Sequence, residues 1–122
     1  VKECGDYVYM NGQEVYRFAV NSMFRELKAS IEEAGRTLDQ VDYLLPHQAN
    51  LRIIDTAVQK LKIPREKVGV TIQKYGNTSS SSVAILLDEM NREGKLHPGD
   101  ILAIAAFGGG LTTGACVIRW SR

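Results

Sequence analysis

The sequence lacks a surplus of charge of either sign. Fifteen lysines and arginines stand against fourteen aspartates and glutamates, which leaves a formal net charge of +1. Proteins that bind nucleic acid through its phosphates normally carry a basic excess, so we expect no nucleic-acid partner. Long apolar runs are missing as well, since none approaches the roughly 18 residues that would suggest a transmembrane helix. We therefore expect no membrane-embedded segment.

Cysteine is also scarce. The two cysteines, Cys4 and Cys116, lie far apart, and neither belongs to a pattern typical of a metal site or a disulfide framework. We expect two reduced thiols and no bound metal. The N-terminal stretch "VKECGDYVYMNG" has none of the regions of a signal peptide, so we expect a cytoplasmic protein. Because the chain begins with Val1, we interpret it as a processed product or a piece of a longer protein.

Apolar residues recur at helical spacing in three stretches. From Gln13 to Ala34 the pattern predicts a helix that ends at Gly35, because glycine adopts positive φ at little cost. Its inward face would carry Tyr16, Val20, Met23, Phe24, Leu27, Ile31 and Ala34. Asn50 fits the N-cap of a second helix, and its apolar stripe is Leu51, Ile54, Val58 and Leu61. A third helix is predicted from about Ser80 to Arg92.

Short aliphatic segments between these helices predict strands. They are "VDYLLPH", "KVGVTI", "ILAIAAF" and "ACVIRW". The continuous apolar run "ILAIAAF" is typical of a strand buried on both faces. The small polar residues of "QKYGNTSSSS" predict a turn, and "YVYM" near the N-terminus could be one more short strand.

The order of these elements is α-β-α-β-α-β-β, and 122 residues correspond to one domain. Strands that alternate with helices predict an α/β fold, with a layered mixed sheet and flanking helices. The last two strands are joined by a glycine-rich connection that is too short for a crossover helix. We therefore predict that they pair antiparallel.

Polar residues and glycines follow three of the predicted strands. His47 comes after the first strand, Asn77 after the second and Gly108–Gly110 after the third. Ligands gather at the carboxyl ends of strands in open α/β sheets, so these loops could share one site. A histidine, an amide and exposed backbone N–H groups suit a reaction in which negative charge develops on a carbonyl oxygen. Spacing alone leaves open a structural histidine and a turn asparagine, and His97 is expected to be inert in a surface turn.

Three motifs carry a resemblance to a known family. They are "LLPHQANLRII", "YGNTSSSS" and "FGGGLTTGACVIRW". In this order they resemble the C-terminal half of the β-ketoacyl-acyl-carrier-protein synthase III family, from about Val15 to Trp120. The resemblance implies a thiolase-like fold, in which two similar halves pack together. Residues 1–122 would form the single C-terminal half-domain, with residues 1–12 as a lead-in.

The resemblance also implies the residues of the active site, which is a Cys-His-Asn triad in this family. His47 and Asn77 match its histidine and asparagine, whereas neither Cys4 nor Cys116 stands in the context of the nucleophile. The nucleophilic cysteine would belong to an N-terminal half that is absent from this sequence. A helix N-terminus next to His47 would disfavour the imidazolium and keep the ring neutral.

Two further roles are implied by the same resemblance. The backbone N–H of Gly109 would help to hold the oxyanion, and Arg52 would contact an acidic acyl-carrier protein. For Arg52, a solvated helix arginine without a partner remains an equal alternative.

The family condenses an acyl-CoA primer with malonyl-acyl-carrier protein by decarboxylative Claisen condensation, which starts fatty-acid synthesis. Enzymes of this family are homodimers. Their reaction uses the two substrates and needs no cofactor. Two alternatives stay open: a related thiolase-like condensing enzyme of specialised metabolism that uses acyl-CoA, and a non-catalytic interaction domain that keeps the fold. The isolated chain would be inactive, because it lacks the nucleophile.

Overall fold

Three strands form one mixed sheet in the computed structural model, which describes residues 10–121. The elements in chain order are α1 (Gly12–Glu33), β1 (Tyr43–Pro46), α2 (Leu51–Leu61), α3 (Ile72–Tyr75), α4 (Ser82–Arg92), β2 (Ile101–Gly108) and β3 (Thr112–Arg119). The strand order is β1-β2-β3. β1 runs parallel to β2, and β3 runs antiparallel to it, as the short glycine connection predicted. The predicted strand "YVYM" lies outside the described residues, except for Met10.

The helices follow the apolar periodicity closely. α1 begins one residue before its predicted start, where the side chain of Asn11 accepts a hydrogen bond from Glu14 N–H. Its C-cap is Ala34. This residue was predicted on the inward face but is exposed, because the last turn of the helix has already ended. Gly35 follows with φ of 70°. Between residues 10 and 121 no helix combines the length and the apolar character needed to cross a bilayer.

The predicted strand "KVGVTI" is wrong, because the segment makes only a single bridge between Val68 and Leu44. Gly69 N–H still donates to Leu44 O at 2.9 Å, but the next donors turn away from β1. Thr71 N–H and Ile72 N–H instead donate to the side-chain oxygen of Gln48, at 2.8 and 3.2 Å. A side-chain amide thus replaces the strand partner. α3 begins at Ile72, the last residue of this segment, and continues to Tyr75 inside the predicted turn.

The sheet is packed on both faces. One face carries a large cluster that includes Val20, Met23 and Leu27 of α1 and Ile54 of α2. The other face carries a smaller cluster, made of Leu45, Leu86, Met90, Leu96 and Leu102. Complete burial of one leucine side chain contributes about 1.5–3 kcal/mol, so both layers stabilise the sheet. The predicted layered architecture is confirmed, and β2 is buried on both faces over its first residues.

α4 begins slightly later than predicted, at Ser82. A 3-10 turn over Ser79–Ser81 precedes it, so the four consecutive serines divide between a turn and a helix. Its buried apolar residues are Leu86 and Met90. The start of α4 therefore lies directly beside the end of β1, because Ser82 contacts His47.

Candidate active site

One open cleft collects three of the residues that the sequence singled out. Its volume is about 630 Å³, and His47, Asn77 and Gly109 all line it. His47 directly follows β1 and Gly109 directly follows β2, so the parallel pairing of these strands brings both to the same edge of the sheet. Asn77 enters from the loop between α3 and α4. The convergence expected at the carboxyl ends of the strands is therefore present for His47 and Gly109, whereas α3, and not a strand, precedes Asn77.

The imidazole of His47 is held on several sides. Its backbone N–H donates to Ala105 O at 2.8 Å, which extends the pairing of β1 with β2 by one residue. The ring meets Phe107 edge-on, with 5.3 Å between the ring centroids and 74° between the planes. The Nδ1 atom forms a hydrogen bond with Ser82 Oγ. Only 9% of the residue is exposed, and it lines the cleft.

Burial lowers the pKa of His47 from its usual value of 6.5. A partly buried imidazolium loses hydration, so the neutral ring is the favoured form near neutral pH. The sequence predicted a neutral ring for a different reason, namely the N-terminus of the next helix. That helix starts only at Leu51, and its N-cap Asn50 accepts from Arg52 N–H. Desolvation by burial lowers the pKa, and the effect of the helix terminus stays a prediction.

The amide of Asn77 is oriented by its own loop. Its side-chain oxygen accepts a hydrogen bond from Ser79 N–H at 2.8 Å. Because the oxygen is fixed by a backbone donor, the amide nitrogen Nδ2 is the atom left to donate. The residue is exposed, and it lines the cleft. That the nitrogens of Asn77 and His47 reach one common point stays a prediction.

The glycine loop leaves room for a backbone donor. A Cβ atom on Gly109 would meet nothing within 4 Å, so a side chain there would project into open space beside the cleft. That the backbone N–H of Gly109 holds an oxyanion stays a prediction. Gly110 has φ of 137°, a conformation that side chains rarely adopt, and this shapes the turn before β3.

Gln48 supports the site in a way that the sequence did not predict. Its side chain is completely buried and uses its full hydrogen-bonding capacity. The nitrogen donates to Pro46 O at 2.8 Å and to Gly69 O at 3.3 Å, while the oxygen accepts from Thr71 N–H and Ile72 N–H. A saturated buried amide of this kind joins segments rigidly. It links the end of β1 to the segment that leads through α3 to Asn77.

Ser82 is the second residue that sequence reasoning missed. Within the four serines nothing distinguishes it by type, but only 1% of it is exposed. Its Oγ lies 2.5 Å from His47 Nδ1 and accepts from Gln48 N–H at 3.3 Å. The available signal was the helical spacing of Ser82 with Leu86 and Met90, which places it on the inward face of α4.

Arg52 lies outside the cleft, on the exposed side of α2. Its guanidinium carbon is 5.2 Å from the centroid of the Tyr16 ring, a cation–π arrangement between α2 and α1. The hydroxyl groups of Tyr16 and Thr56 share a hydrogen bond of 2.7 Å, which fixes the ring. Arg52 is therefore presented to solvent on an aromatic support, at a distance from the other predicted residues.

The remaining candidate residues are not part of the cleft lining. His97 is exposed in a turn, as predicted, and its backbone N–H donates to the side chain of Asp100. Cys116 is an exposed free thiol on β3. Across residues 10–121 no three side chains of the metal-binding types lie close enough together to hold a metal ion. Cys4 lies outside the described residues.

Comparison with known sequences matches most of the chain. The family model described as 3-oxoacyl-[acyl-carrier-protein (ACP)] synthase III C terminal covers residues 31–120. The beta-ketoacyl-[acyl-carrier-protein] synthase III of Geobacillus kaustophilus is 49% identical over 117 residues, which are 96% of this chain and 38% of the relative. The protein of the same name from Trichormus variabilis is 50% identical over 115 residues, or 94% and 35%. The chain thus spans less than two fifths of these curated relatives.

Solved structures give the same result. The 3-oxoacyl-[acyl-carrier-protein] synthase III of Aquifex aeolicus superposes with a TM-score of 0.92 at 47% identity, over 98% of this chain and 38% of that one. The Thermus thermophilus synthase III reaches 0.96 at 42% identity, over 98% and 37%. The priming β-ketosynthase of the R1128 polyketide pathway reaches 0.86 at 36% identity, over 93% and 34%. The predicted fold class, one half of a thiolase-like architecture, is confirmed.

Proposed function

The chain belongs to the 3-oxoacyl-[acyl-carrier-protein] synthase III family, as a C-terminal part, and we propose that it supplies the histidine and asparagine of that enzyme's active site. The complete enzyme would condense an acyl-CoA primer with malonyl-acyl-carrier protein to begin fatty-acid synthesis. The observation that carries the proposal is the single cleft lined by His47, Asn77 and Gly109, in which the histidine is buried and burial lowers its pKa.

The proposed reaction has two stages. A cysteine thiolate of the N-terminal half attacks the thioester carbonyl of acyl-CoA, and CoA leaves as the thiolate, which takes a proton from solvent, to give an acyl-enzyme. Malonyl-acyl-carrier protein then loses carbon dioxide, and the electron pair of the broken C–C bond forms an enolate. The enolate carbon attacks the acyl-enzyme carbonyl. Collapse of the tetrahedral intermediate releases the cysteine thiolate and the β-ketoacyl product on the carrier.

His47 and Asn77 would stabilise the enolate oxygen during decarboxylation. A neutral imidazole can donate from Nε2 without giving up its proton, and the Asn77 oxygen is already engaged with Ser79, so that its nitrogen is the donor. Loss of one oxyanion donor costs about 10²–10³ in kcat in well-studied enzymes. The backbone N–H of Gly109 would hold the oxyanion of the acyl-enzyme and of the tetrahedral intermediate.

The partners in this proposal are acyl-CoA, malonyl-acyl-carrier protein and the N-terminal half with its nucleophile. Arg52 would contact the acidic carrier, which fits its exposed position over Tyr16. The complete enzyme would act as a cytoplasmic homodimer. It would need no metal or cofactor beyond its two substrates.

A second candidate is the priming step of a specialised pathway, which the likeness to the R1128 polyketide ketosynthase favours. That enzyme matches this chain at 36% identity, below the 49% of the Geobacillus synthase. The same residues would carry out the same condensation on a different acyl-CoA. A comparison of acyl-CoA primers with the complete enzyme separates these two functions.

The test uses a chimera in which this chain replaces the matching segment of the Geobacillus synthase. Loading of the cysteine by labelled acetyl-CoA and condensation with malonyl-acyl-carrier protein are measured separately. We expect His47→Ala and Asn77→Ala each to lower condensation by at least about 10²-fold and to change loading only slightly.

The matched control is His97→Ala, since His97 is exposed and lies outside the cleft. It should leave both half-reactions unchanged. Condensation at the parent rate in the His47→Ala chimera would refute the proposal. A chimera that folds and loads acyl groups but never condenses would point to the non-catalytic interaction domain.

A further inference from the structure

We propose that Ser82 is a positioning residue that holds His47 in the neutral tautomer with its proton on Nε2. The tautomer follows from the hydrogen bonds of the chain itself, whereas its catalytic meaning rests on the proposed function. The residue lies at the first position of α4, and His47 follows directly after β1, so the two meet across separate elements.

The hydrogen-bond count at Ser82 determines the direction of its bond to His47. A serine hydroxyl has one proton to donate and accepts through its lone pairs. Ser82 Oγ already accepts from Gln48 N–H at 3.3 Å. Among the described residues, the only acceptor that its own proton reaches is His47 Nδ1, at 2.5 Å. If Nδ1 carried the proton, the oxygen would receive two N–H groups and its hydroxyl proton would have no acceptor.

Burial makes that alternative costly. Ser82 is 1% exposed, so water cannot supply the missing acceptor. A buried donor without a partner loses its hydration and gains nothing in return. The arrangement in which Ser82 donates to Nδ1 satisfies every group at this point, and neutral His47 must then carry its proton on Nε2.

The other ring nitrogen faces the cleft. Over residues 10–121, Nε2 has no hydrogen-bond partner, and the only buried side-chain polar atom without one is Trp120 Nε1. Nε2 is therefore open to solvent, and His47 lines the cleft. The hydroxyl of Ser82 on one side of the ring thus directs an N–H group into the cleft on the other.

The elements around this pair hold it in register. The backbone of His47 is bound to Ala105, and Phe107 contacts the ring. Ser82 is carried by α4, whose Leu86 and Met90 are buried against the sheet. With the opposite tautomer, Nε2 would present a lone pair to the enolate oxygen and repel it. A serine with a purely structural role would not determine which ring nitrogen of His47 carries the proton, whereas Ser82 does.

The tautomer can be measured on the chain as it is. In the ¹⁵N spectrum of histidine-labelled chain at neutral pH, an unprotonated ring nitrogen resonates far from a protonated one. We expect His47 to show a protonated Nε2 and an unprotonated Nδ1. His97, which is exposed and has its Nδ1 atom 3.8 Å from Asp100 Oδ2, gives a second histidine signal for comparison. A protonated Nδ1 in His47 would overturn the proposal.

Two serine substitutions then test the origin of this preference. Ser82→Ala should let His47 populate both tautomers, while Ser80→Ala removes an exposed hydroxyl from the same run and should change nothing. Amide signals of α4 report whether the fold persists. An unchanged single Nε2–H tautomer in a folded Ser82→Ala chain would refute the role of Ser82. If that variant does not fold, the unaltered chain still decides the tautomer, and Ser82→Thr, which keeps the hydroxyl, should preserve it.

In the chimera, Ser82→Ala should lower kcat for condensation and leave the KM for malonyl-acyl-carrier protein nearly unchanged. The inference about the tautomer and the proposed function can be refuted separately. An Nδ1–H tautomer would refute the inference and leave the proposed function unaffected. An Nε2–H tautomer together with full condensation by the His47→Ala chimera would refute the proposed function alone.

Discussion

The side-chain oxygen of Gln48 accepts a hydrogen bond of 2.8 Å from the backbone N–H of Thr71, 23 positions further along the chain. The nitrogen of the same amide donates to Pro46 O at the end of β1. The buried side chain of Gln48 therefore takes the place of a strand partner for the segment at Thr71. It also fixes the carboxyl end of β1. The relative position of the His47 and Asn77 loops depends on this amide.

Replacing Gln48 with leucine should destabilise the chain markedly. Leucine has a similar size but leaves the backbone N–H groups of Thr71 and Ile72 without their acceptor, and each buried unpaired group costs about 1–3 kcal/mol. We expect the free energy of unfolding in urea to fall by about 2–4 kcal/mol. Gln73→Leu, the same change at an exposed site of α3, should stay within about 0.5 kcal/mol. Equal losses in the two variants would contradict the role given to Gln48.

Stability should decrease as the pH falls through the range in which histidine titrates. Burial lowers the pKa of His47 below 6.5, so the unfolded chain binds the proton more readily than the folded chain. The contribution is complete above pH 6.5 and is lost as the pH falls below it toward the folded pKa. Urea unfolding between about pH 7 and pH 5 measures this slope.

The matched variants for this slope are His47→Gln, which should flatten it, and His97→Gln, which should keep it. Glu89 does not interfere in that window. The hydrogen bonds from Lys74 and Tyr75 lower the pKa of its carboxyl below 4.5, so its contribution is lost only in more acidic solution. A slope that survives in His47→Gln would show that another group is responsible.

Reversing the charge of Arg52 should weaken carrier binding in the chimera. Arg52→Glu removes an attraction and adds a repulsion, each of the order of 0.2–1 kcal/mol for exposed charges. We expect the KM for malonyl-acyl-carrier protein to rise by about three- to tenfold at low salt, and acetyl-CoA loading to stay nearly intact. High salt should shrink the difference through screening.

Arg92→Glu is the control for this reversal, because it changes the net charge equally but lies on α4. An unchanged KM in Arg52→Glu at low salt would return Arg52 to the alternative of a solvated helix arginine. Its contact with Tyr16 would then serve only the packing of α1 against α2.

The chain alone should not condense acetyl-CoA with malonyl-acyl-carrier protein. Cys116, the thiol among the described residues, is exposed on β3 and does not line the cleft with His47. Labelled acetyl-CoA should therefore leave no acyl-enzyme that can react further. Formation of β-ketoacyl product at an enzyme-like rate, abolished by Cys116→Ser, would disprove this expectation.

Much of the fold was predictable because its signals are local. α1 and α2 follow apolar periodicity to within a residue or two, and a short glycine loop implied the antiparallel pairing of β2 and β3. The failure at "KVGVTI" has a distant cause. Aliphatic residues favour a strand, but the amide of Gln48 captures the N–H groups that a strand would offer to a neighbour.

The candidate site, like the fold, was predictable only in part. His47 and Gly109 follow from the rule that loops after parallel strands share an edge, whereas Asn77 follows α3 and not a strand, although it lines the same cleft. Ser82 and Gln48 could not be found in this way. A serine in a run of serines and a glutamine in a loop are ordinarily exposed, and only tertiary packing buries these two.

The connectivity of the sheet has a consequence for the order of folding. β2 and β3 are neighbours in the chain and can form a hairpin within about 1–10 μs, the usual time for such a contact. β1 joins β2 in a pairing that starts at Tyr43, beside the contact of Asp42 with Ile101, two residues that are 59 positions apart. Closing so long a loop costs conformational entropy before the contacts between β1 and β2 can contribute, so β1 is expected to dock late. His47 follows β1 directly, and the cleft therefore takes shape only in the final stage of folding.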